Sequence, residues 1–503
     1  MTPAPNARGG ETSLLLLSGT FGLSGAAALI YQVAWQRILA LHGGVGIYSV
    51  ALIVAAFMAG LGLGSYWGGR LVARTRSDVA LLWFAGLELA VGGFAAVSCP
   101  LYYDLLGSQA TWLYASLGRA GGGHFLALLV PTCLMGMSLP FLVQAAVQDL
   151  RVACRTIGVL YGVNILGAAL GALVTPWVLI RFLGIDGAVR IGAAANFTAG
   201  LLALLLWKYR KQNPMPVPKP AGSQKTRPVS EPRADGHRFS LWMMLYALSG
   251  FFALALEIVW FRVIDVAVRS TAFTFGSVLA IYLLGLGLGC LFGGSFALRI
   301  KSPLRAFLLC QTVLLTYSGA VVWLLVNLPV DWPGYAELFR YWTSADVFEL
   351  GVDWNWARIG LLYIGLPAVL YGPPTVLMGL SFAVLQRAVH DDQQTTGRKV
   401  GFLQAANILG NVAGSLLVGL VLMEWLGTPG TLRALLAAGL AFPLLGLRWL
   451  GGDRALLANA VGLAVIVGVW PSTEAFWSRL HGVRDGVGLF AEDASGVMAI
   501  TPA

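Results

Sequence analysis

SGAAALIYQVAWQRI (residues 24–38) returns later in the same chain as SGFFALALEIVWFRV (residues 249–263). The register holds without a gap from residues 24–69 to residues 249–294, a constant offset of 225. Ser24-Gly25 falls on Ser249-Gly250, Trp35 and Arg37 fall on Trp260 and Arg262, and Gly60-Leu61-Gly62-Leu63-Gly64 falls on Gly285-Leu286-Gly287-Leu288-Gly289. A second block returns at an offset of 243: Pro131-Thr132, Leu134-Met135-Gly136 and Asn164-Ile165-Leu166-Gly167 recur as Pro374-Thr375, Leu377-Met378-Gly379 and Asn407-Ile408-Leu409-Gly410. The offsets differ by 18, so the second copy carries an insertion between its blocks. Self-similarity at a fixed period marks a duplicated structural unit.

Composition says in which solvent the unit lives. Hydrophobic residues make up 57% of the 503 and charged residues 11%, against about 25% charged in an average soluble domain. Mean hydropathy is +0.76. Apolar runs of about 20 residues cross a bilayer as helices, because a helix satisfies every backbone group internally. Thirteen such runs lie between residues 13 and 470. The expected fold is all-α, a polytopic membrane bundle of two six-helix halves (1–208 and 240–450) in parallel repeat, plus one extra helix at 451–470. The 63 glycines suit helices that pack closely through small residues. The start of the chain has the look of a signal peptide, yet its pattern recurs in mid-chain at 241–260, so it is expected to be an uncleaved first helix.

A net charge of +10 would suit a nucleic-acid partner if it formed one patch. It does not: the basic residues lie at segment ends and in residues 209–239, a Pro-rich basic connector without apolar periodicity, so no nucleic-acid partner is expected. Arg70, Arg74, Arg76, Arg151, Arg155, Arg299, Lys301, Arg305, Arg387, Arg398 and Lys399 fall on the connector's side. By the positive-inside rule that side, with the N-terminus, is cytoplasmic and the membrane is the cell's inner (plasma) membrane. Arg119, Arg190, Arg269 and Arg340 fall on the other side. The five cysteines are isolated and the five histidines scattered, so neither disulfide nor metal site is expected, and no cofactor is expected in this chain.

Intramembrane polar residues point to a site, since an ionised side chain at mid-bilayer costs about 2.5–3.5 kcal/mol even on the lenient insertion scale. Glu88 and Glu257 are the acids within apolar runs, and the repeat sets Glu257 against Gln32. Gln32, Arg37, Glu88, Asn164, Glu257, Arg262 and Asn407 are the candidate lining of a substrate crevice between the halves, where duplicated transporters bind their cargo. The competing reading makes the asparagines interhelical glue, the arginines snorkelling side chains and the acid part of a structural ion pair. Gly60-x-Gly62-x-Gly64 imitates a phosphate loop but lies inside an apolar helix, where close helix contact explains it. No catalytic residue is identified.

Residues 331–357, aromatic and acidic, account for the insertion and read as an interfacial cap, with cation–π attraction for an amine as the alternative. After Trp470-Pro471 the chain turns polar; residues 487–501 read as strand, turn and strand round Asp493 and Gly496, the start of a soluble domain within 471–503.

Ser24 to Arg37, together with Gly158-Val-Leu-Tyr161-Gly-Val-Asn164-Ile-Leu-Gly167-Ala-Ala-Leu-Gly171, resembles the membrane-bound spermidine synthase family, in which a major-facilitator-like membrane region is fused to an aminopropyltransferase domain. The segment Gly68-Gly69-Arg70-Leu71-Val72-Ala73-Arg74 resembles the loop between the second and third helices of major-facilitator transporters, without that loop's acidic residue. The resemblance implies a spermidine-synthase-like membrane module that binds or moves a small cationic metabolite of polyamine type. A soluble aminopropyltransferase domain is the implied partner. The tail hairpin is similar to the opening hairpin of that domain, whose Gly-rich turn and acidic residues are absent from these 503 residues. An independent major-facilitator-like transporter and a purely structural anchor are the alternatives. Thirteen spans would put the tail opposite the connector, so a cytosolic enzyme would require 454–470 to be re-entrant or one span fewer or more than counted.

Overall fold

A computed structural model describes residues 5–43, 47–213, 239–268, 273–329, 331–332, 360–481, 489–493 and 496–500. The first half contains α1 (Pro5–Gly43), α2 (Ile47–Val72), α3 (Ser77–Pro100), α4 (Leu117–Ala146), α5 (Ala153–Val174) and α6 (Ile180–Gln212). The second contains α7 (Phe239–Val268), α8 (Thr274–Ala297), α9 (Pro303–Asn327), α10 (Leu366–Val389), α11 (Thr396–Leu417), and a last span made of α12 (Met423–Gly439) and α13 (Ala441–Leu450). The fold is the all-α membrane bundle expected from the repeat. Connector residues 214–238 and nearly all of 331–357 lie outside the described residues.

The two copies repeat in their contacts as well as their letters. Within the halves α1 packs on α5 and α2 on α4; α7 packs on α11 and α8 on α10. Each pair is zipped by glycine against backbone. A methyl group at Gly25 would strike the Asn164 carbonyl, and one at Gly250 the Asn407 carbonyl, both closer than 3.0 Å. Gly167 meets the backbone of Gly22 as Gly410 meets that of Ala247, and Gly64 meets Cys133 as Gly289 meets Val376. Between halves, α5 packs along α8 and α2 along α11.

Even the irregularities are duplicated. A π-helical turn at Thr175–Leu179 recurs at Val418–Leu422, at the offset of 243. Five residues past each turn the helix breaks at a left-handed glycine, Gly184 (φ 71°) and Gly427 (φ 64°). That backbone region is open to glycine and strained for residues with a Cβ.

After the repeat comes α14 (Arg454–Gly468), which runs beside α9. Its N-cap Asp453 pairs with Arg305 at the start of α9, and its last residues reach the other end, where Trp323 Nε1 donates to the Val469 carbonyl (3.0 Å). The segment therefore traverses the bundle in the direction of α9 and is not re-entrant. The chain then turns by 88° into α15 (Thr473–Leu480). The tail hairpin β1 (Leu489–Glu492) and β2 (Val497–Ile500) is antiparallel, Leu489 facing Ile500 and Glu492 facing Val497.

Glycine zippers of this kind respond to methyl groups in opposite ways according to position. Gly410→Ala, which drives a Cβ into the Ala247 carbonyl, should lower stability by about 1–3 kcal/mol. Gly93→Ala, with nothing within 4 Å, should raise it by up to about 1 kcal/mol. Thermal unfolding of the purified protein in detergent reads both.

Candidate functional site

The helices that face each other across the halves enclose a cavity of about 280 Å³, near the lower bound of small-molecule sites. Its walls are the repeat seen from inside. Ser24 and Ser249, Asn164 and Asn407, Gln32 and Glu257, and Tyr161 and Gln404 are lining pairs at the two offsets. Each copy thus presents the same helix faces to a shared space, which explains why the polar residues of unrelated-looking segments converge there.

The asparagines combine both roles set out for them. Asn164 Nδ2 donates to the Phe21 carbonyl (2.8 Å) and Asn407 Nδ2 to the Tyr246 carbonyl (3.0 Å), so each ties two helices, and each also lines the cavity. Gln32 is 7% exposed and Glu257 is half-buried; among the described residues neither has a hydrogen-bond partner. Glu257 is the only carboxylic acid among the described lining residues, which include no lysine, arginine or histidine. Aromatic rings line the same cavity: Tyr161 lies 4.6 Å from Phe382, ring to ring, and Tyr246 lies 6.2 Å from Phe382.

Three of the candidate residues lie elsewhere. Glu88 is buried behind the wall, 1% exposed, and meets the cavity only through Ser24, whose hydroxyl donates to its Oε1 at 2.8 Å. Arg37, half-buried near the far end of α1, is not among the lining residues. Arg262 is turned outward from the cavity: its Nη2 donates to the Asp493 carbonyl in the turn of the tail hairpin, near the carboxylates of Glu492 and Asp265. A spacing of five residues rotates a helix by about 140°, so Arg262 and Glu257 on one helix face different neighbours.

The hairpin has a second anchor that the sequence did not reveal. Glu492 Oε1 accepts from Thr428 N (2.7 Å) and Thr428 Oγ1, and its Oε2 accepts from Trp477 Nε1 (2.8 Å). It thereby caps the helix restarting after Gly427. The other residues not singled out by sequence, Ser24, Ser249, Tyr161 and Gln404, carried a readable signal: matched positions polar in both copies.

At the arginine-rich end of the cavity the two halves are in close contact. There Gly69 meets Arg398 and Gly401, and Gly158 meets Cys290 and Gly294, backbone to backbone. Side chains add a latch: Gln393 Nε2 donates to the Val147 carbonyl (3.0 Å), and Gly397 N donates to Gln144 Oε1 (3.2 Å). Behind the latch His390 is buried, with Nε2 2.7 Å from Gln386 Oε1. Burial, reinforced by the nearby Lys399 ammonium and opposed by Asp391, pushes its pKa down to about 3.

No family model matches the chain. In sequence it is similar to the polyamine aminopropyltransferase of Corynebacterium efficiens, 29% identical over 197 residues, which cover 38% of this chain and 34% of that protein. It is also similar to that of Mycobacterium tuberculosis, 28% identical over 186 residues, covering 37% and 34%. The match spans about a third of the length of these relatives. In fold it is similar to a human organic anion transporter (TM-score 0.57, 14% identity, 92% of this chain and all of that one). A bacterial homologue of the iron transporter ferroportin, in its outward-facing state, follows with TM-score 0.53, 14% identity, 91% of this chain and 98% of that one. The chain is a multi-pass membrane protein whose helical bundle has the fold of these transporters, and a lipid bilayer is its environment.

The latch carries a pH dependence whose sign is fixed. His390 in the unfolded chain binds a proton near pH 6.5, whereas in the fold it stays neutral down to about 3. Its contribution to stability is whole above the unfolded value and is lost as the pH falls from there toward the folded one. The melting temperature should therefore fall on acidification from about pH 7 to about pH 5, and His390→Gln should remove part of that fall.

Proposed function

We propose that this chain is the membrane module of a polyamine-aminopropyltransferase-like protein and that it binds and moves a small organic cation, of polyamine type, through the cavity between its halves. The observation that carries the reading is the unpartnered acid: Glu257 bears the one carboxyl group among the described lining residues. A carboxylate in a low-dielectric space demands a positive partner, and nothing described in the protein supplies one. A primary ammonium meets that demand; Gln32, Ser249, Asn407 and the Tyr161, Tyr246 and Phe382 rings line the same cavity as further acceptors and cation–π faces, Ser249 and Tyr246 about 12 and 16 Å from Glu257 along α7. Such faces contribute about 0.5–2 kcal/mol each, more as water is excluded. The names of the sequence relatives agree with an amine as cargo.

On this reading the arginine-rich end, the N-terminus and the connector are cytoplasmic, in the inner membrane of the cell, which the excess of arginine there supports. Access to the cavity is then from the outside. The hairpin, held at the opposite end of α7 from the connector, faces outside too, and an aminopropyltransferase domain that continued it would be its soluble partner there.

The full chain reconstituted in liposomes should bind and take up labelled putrescine or spermidine above empty liposomes. Glu257→Gln, which keeps shape and removes charge, should weaken binding at least tenfold, about 1.4 kcal/mol. Wild-type uptake no greater than that of empty liposomes would favour the anchor reading.

A further inference from the structure

Glu88 has no part in the cation cavity as described, yet it is a fully buried acid held by groups from three other helices. Ser24 Oγ on α1 (2.8 Å) and Ser138 Oγ on α4 (3.1 Å) donate to its Oε1, and Asn196 Nδ2 on α6 (2.6 Å) donates to its Oε2. Tyr31 OH donates in turn to Asn196 Oδ1 (2.8 Å). All these donors are neutral. Of the titratable groups on the helices packed round it, Tyr31 reaches Glu88 only through Asn196. On α4, Cys133 lies against Gly64 of α2 and His124 is 14 residues from Ser138, about 21 Å along the helix. On α6, Arg190 is exposed and paired with Asp186, and Arg210 is bonded to Ser13 and the Ala145 carbonyl. On α1, Arg37 is 13 residues beyond Ser24, about 20 Å. On α3 itself, Cys99 is 11 residues away and Asp78, ten residues away, pairs with Arg76.

The duplication supplies the control. Ser138 corresponds to Ser381 at the offset of 243, and in the second half Ser381 is met by a neutral amide, Gln311 Nε2, at 3.1 Å. The same corner of the fold is therefore packed without a charge in one copy, so an acid is not what the packing needs. Ser24, the donor that touches Glu88, also lines the cavity.

We propose that Glu88 is a proton-binding site coupled to the cation cavity, with Ser24 as the relay between them. A hydronium in the cavity passes its proton to the Ser24 oxygen while Ser24 passes its own proton to Glu88 Oε1; water is left in the cavity and Glu88 becomes neutral. Oε1 then has a proton to give and must find an acceptor in Ser24 or Ser138, so the hydrogen bonds joining α1, α3 and α4 reverse with its charge. The coupled function rests on the cavity being a cation path, whereas the proton site itself does not.

Two readouts separate these. In liposomes with an imposed pH gradient, wild type should accumulate labelled putrescine, and Glu88→Gln, which reproduces the neutral amide of the second half, should lose at least tenfold of that gradient-driven accumulation. Exchange of labelled for unlabelled putrescine should persist in the variant within about twofold, which shows that it is folded. Infrared difference spectra of the full chain between alkaline and acidic buffer should show a carboxyl C=O band that vanishes in Glu88→Gln and survives in Glu257→Gln. Gradient-driven accumulation by Glu88→Gln equal to wild type, or the absence of a carboxyl band assigned to Glu88, overturns the proposal. If the Glu88 band is present while wild type handles no putrescine, the proton site stands and the polyamine reading of the cavity falls.

Discussion

Helix backbones that touch at glycine are the constraint from which the rest of this structure follows. Between helices surrounded by lipid there is no gain from hiding apolar surface, so association depends on close packing and on the few hydrogen bonds it permits. Where Gly25 lies on Asn164 and Gly250 on Asn407, the backbones come near enough for each asparagine to reach a carbonyl of the neighbouring helix. The same contacts fix helix rotation, and rotation decides that Ser24, Gln32, Ser249 and Glu257 face one shared space.

Symmetry builds the chamber, and its breaking supplies the chemistry. Gln32 and Glu257 are equivalent positions carrying a neutral and an acidic group. Behind the wall the order is reversed: the first half has Glu88 beside Ser138, and the second has Gln311 beside Ser381. Trp35 and Trp260 have diverged too, one donating to Ser98 (3.0 Å) and stacked on Tyr31, the other stacked on Tyr371. One acid of the first half, Glu88, thus lies behind the wall and one of the second, Glu257, lies in it.

Much of the fold was legible because a repeat is read from letters alone. The two halves, the extra helix and the hairpin could be placed from offsets, apolar length and alternation. Leu183-Gly184 and Leu426-Gly427 repeat at the same offset of 243, so the paired helix breaks could have been read as well. The site was only half legible. Matched polar positions found Asn164, Asn407, Gln32 and Glu257, but Arg37 and Arg262 were matched equally well and do not line the cavity. A matched letter says that a residue recurs, not which neighbour its helix face meets. For Arg262 the neighbour is the tail hairpin, whose anchor Glu492 finds its partner Thr428 across 64 residues, beyond the reach of local pattern. The direction of α14 was undecidable by length, since 15 residues span only about 22 Å. Its contacts with both ends of α9 decide it.

The central claim is a water-reached chamber between the halves, closed at the arginine-rich end and bearing a single carboxyl group among its described lining residues. Accessibility of introduced cysteines tests it most directly, in a background whose own five cysteines are replaced. A membrane-impermeant cationic thiol reagent added to the face opposite the connector should label Ser249→Cys and Gln32→Cys, and should leave Gln394→Cys, exposed at the arginine-rich end, untouched. Labelling of Ser249→Cys from the connector's face alone, or from neither face, would contradict the account.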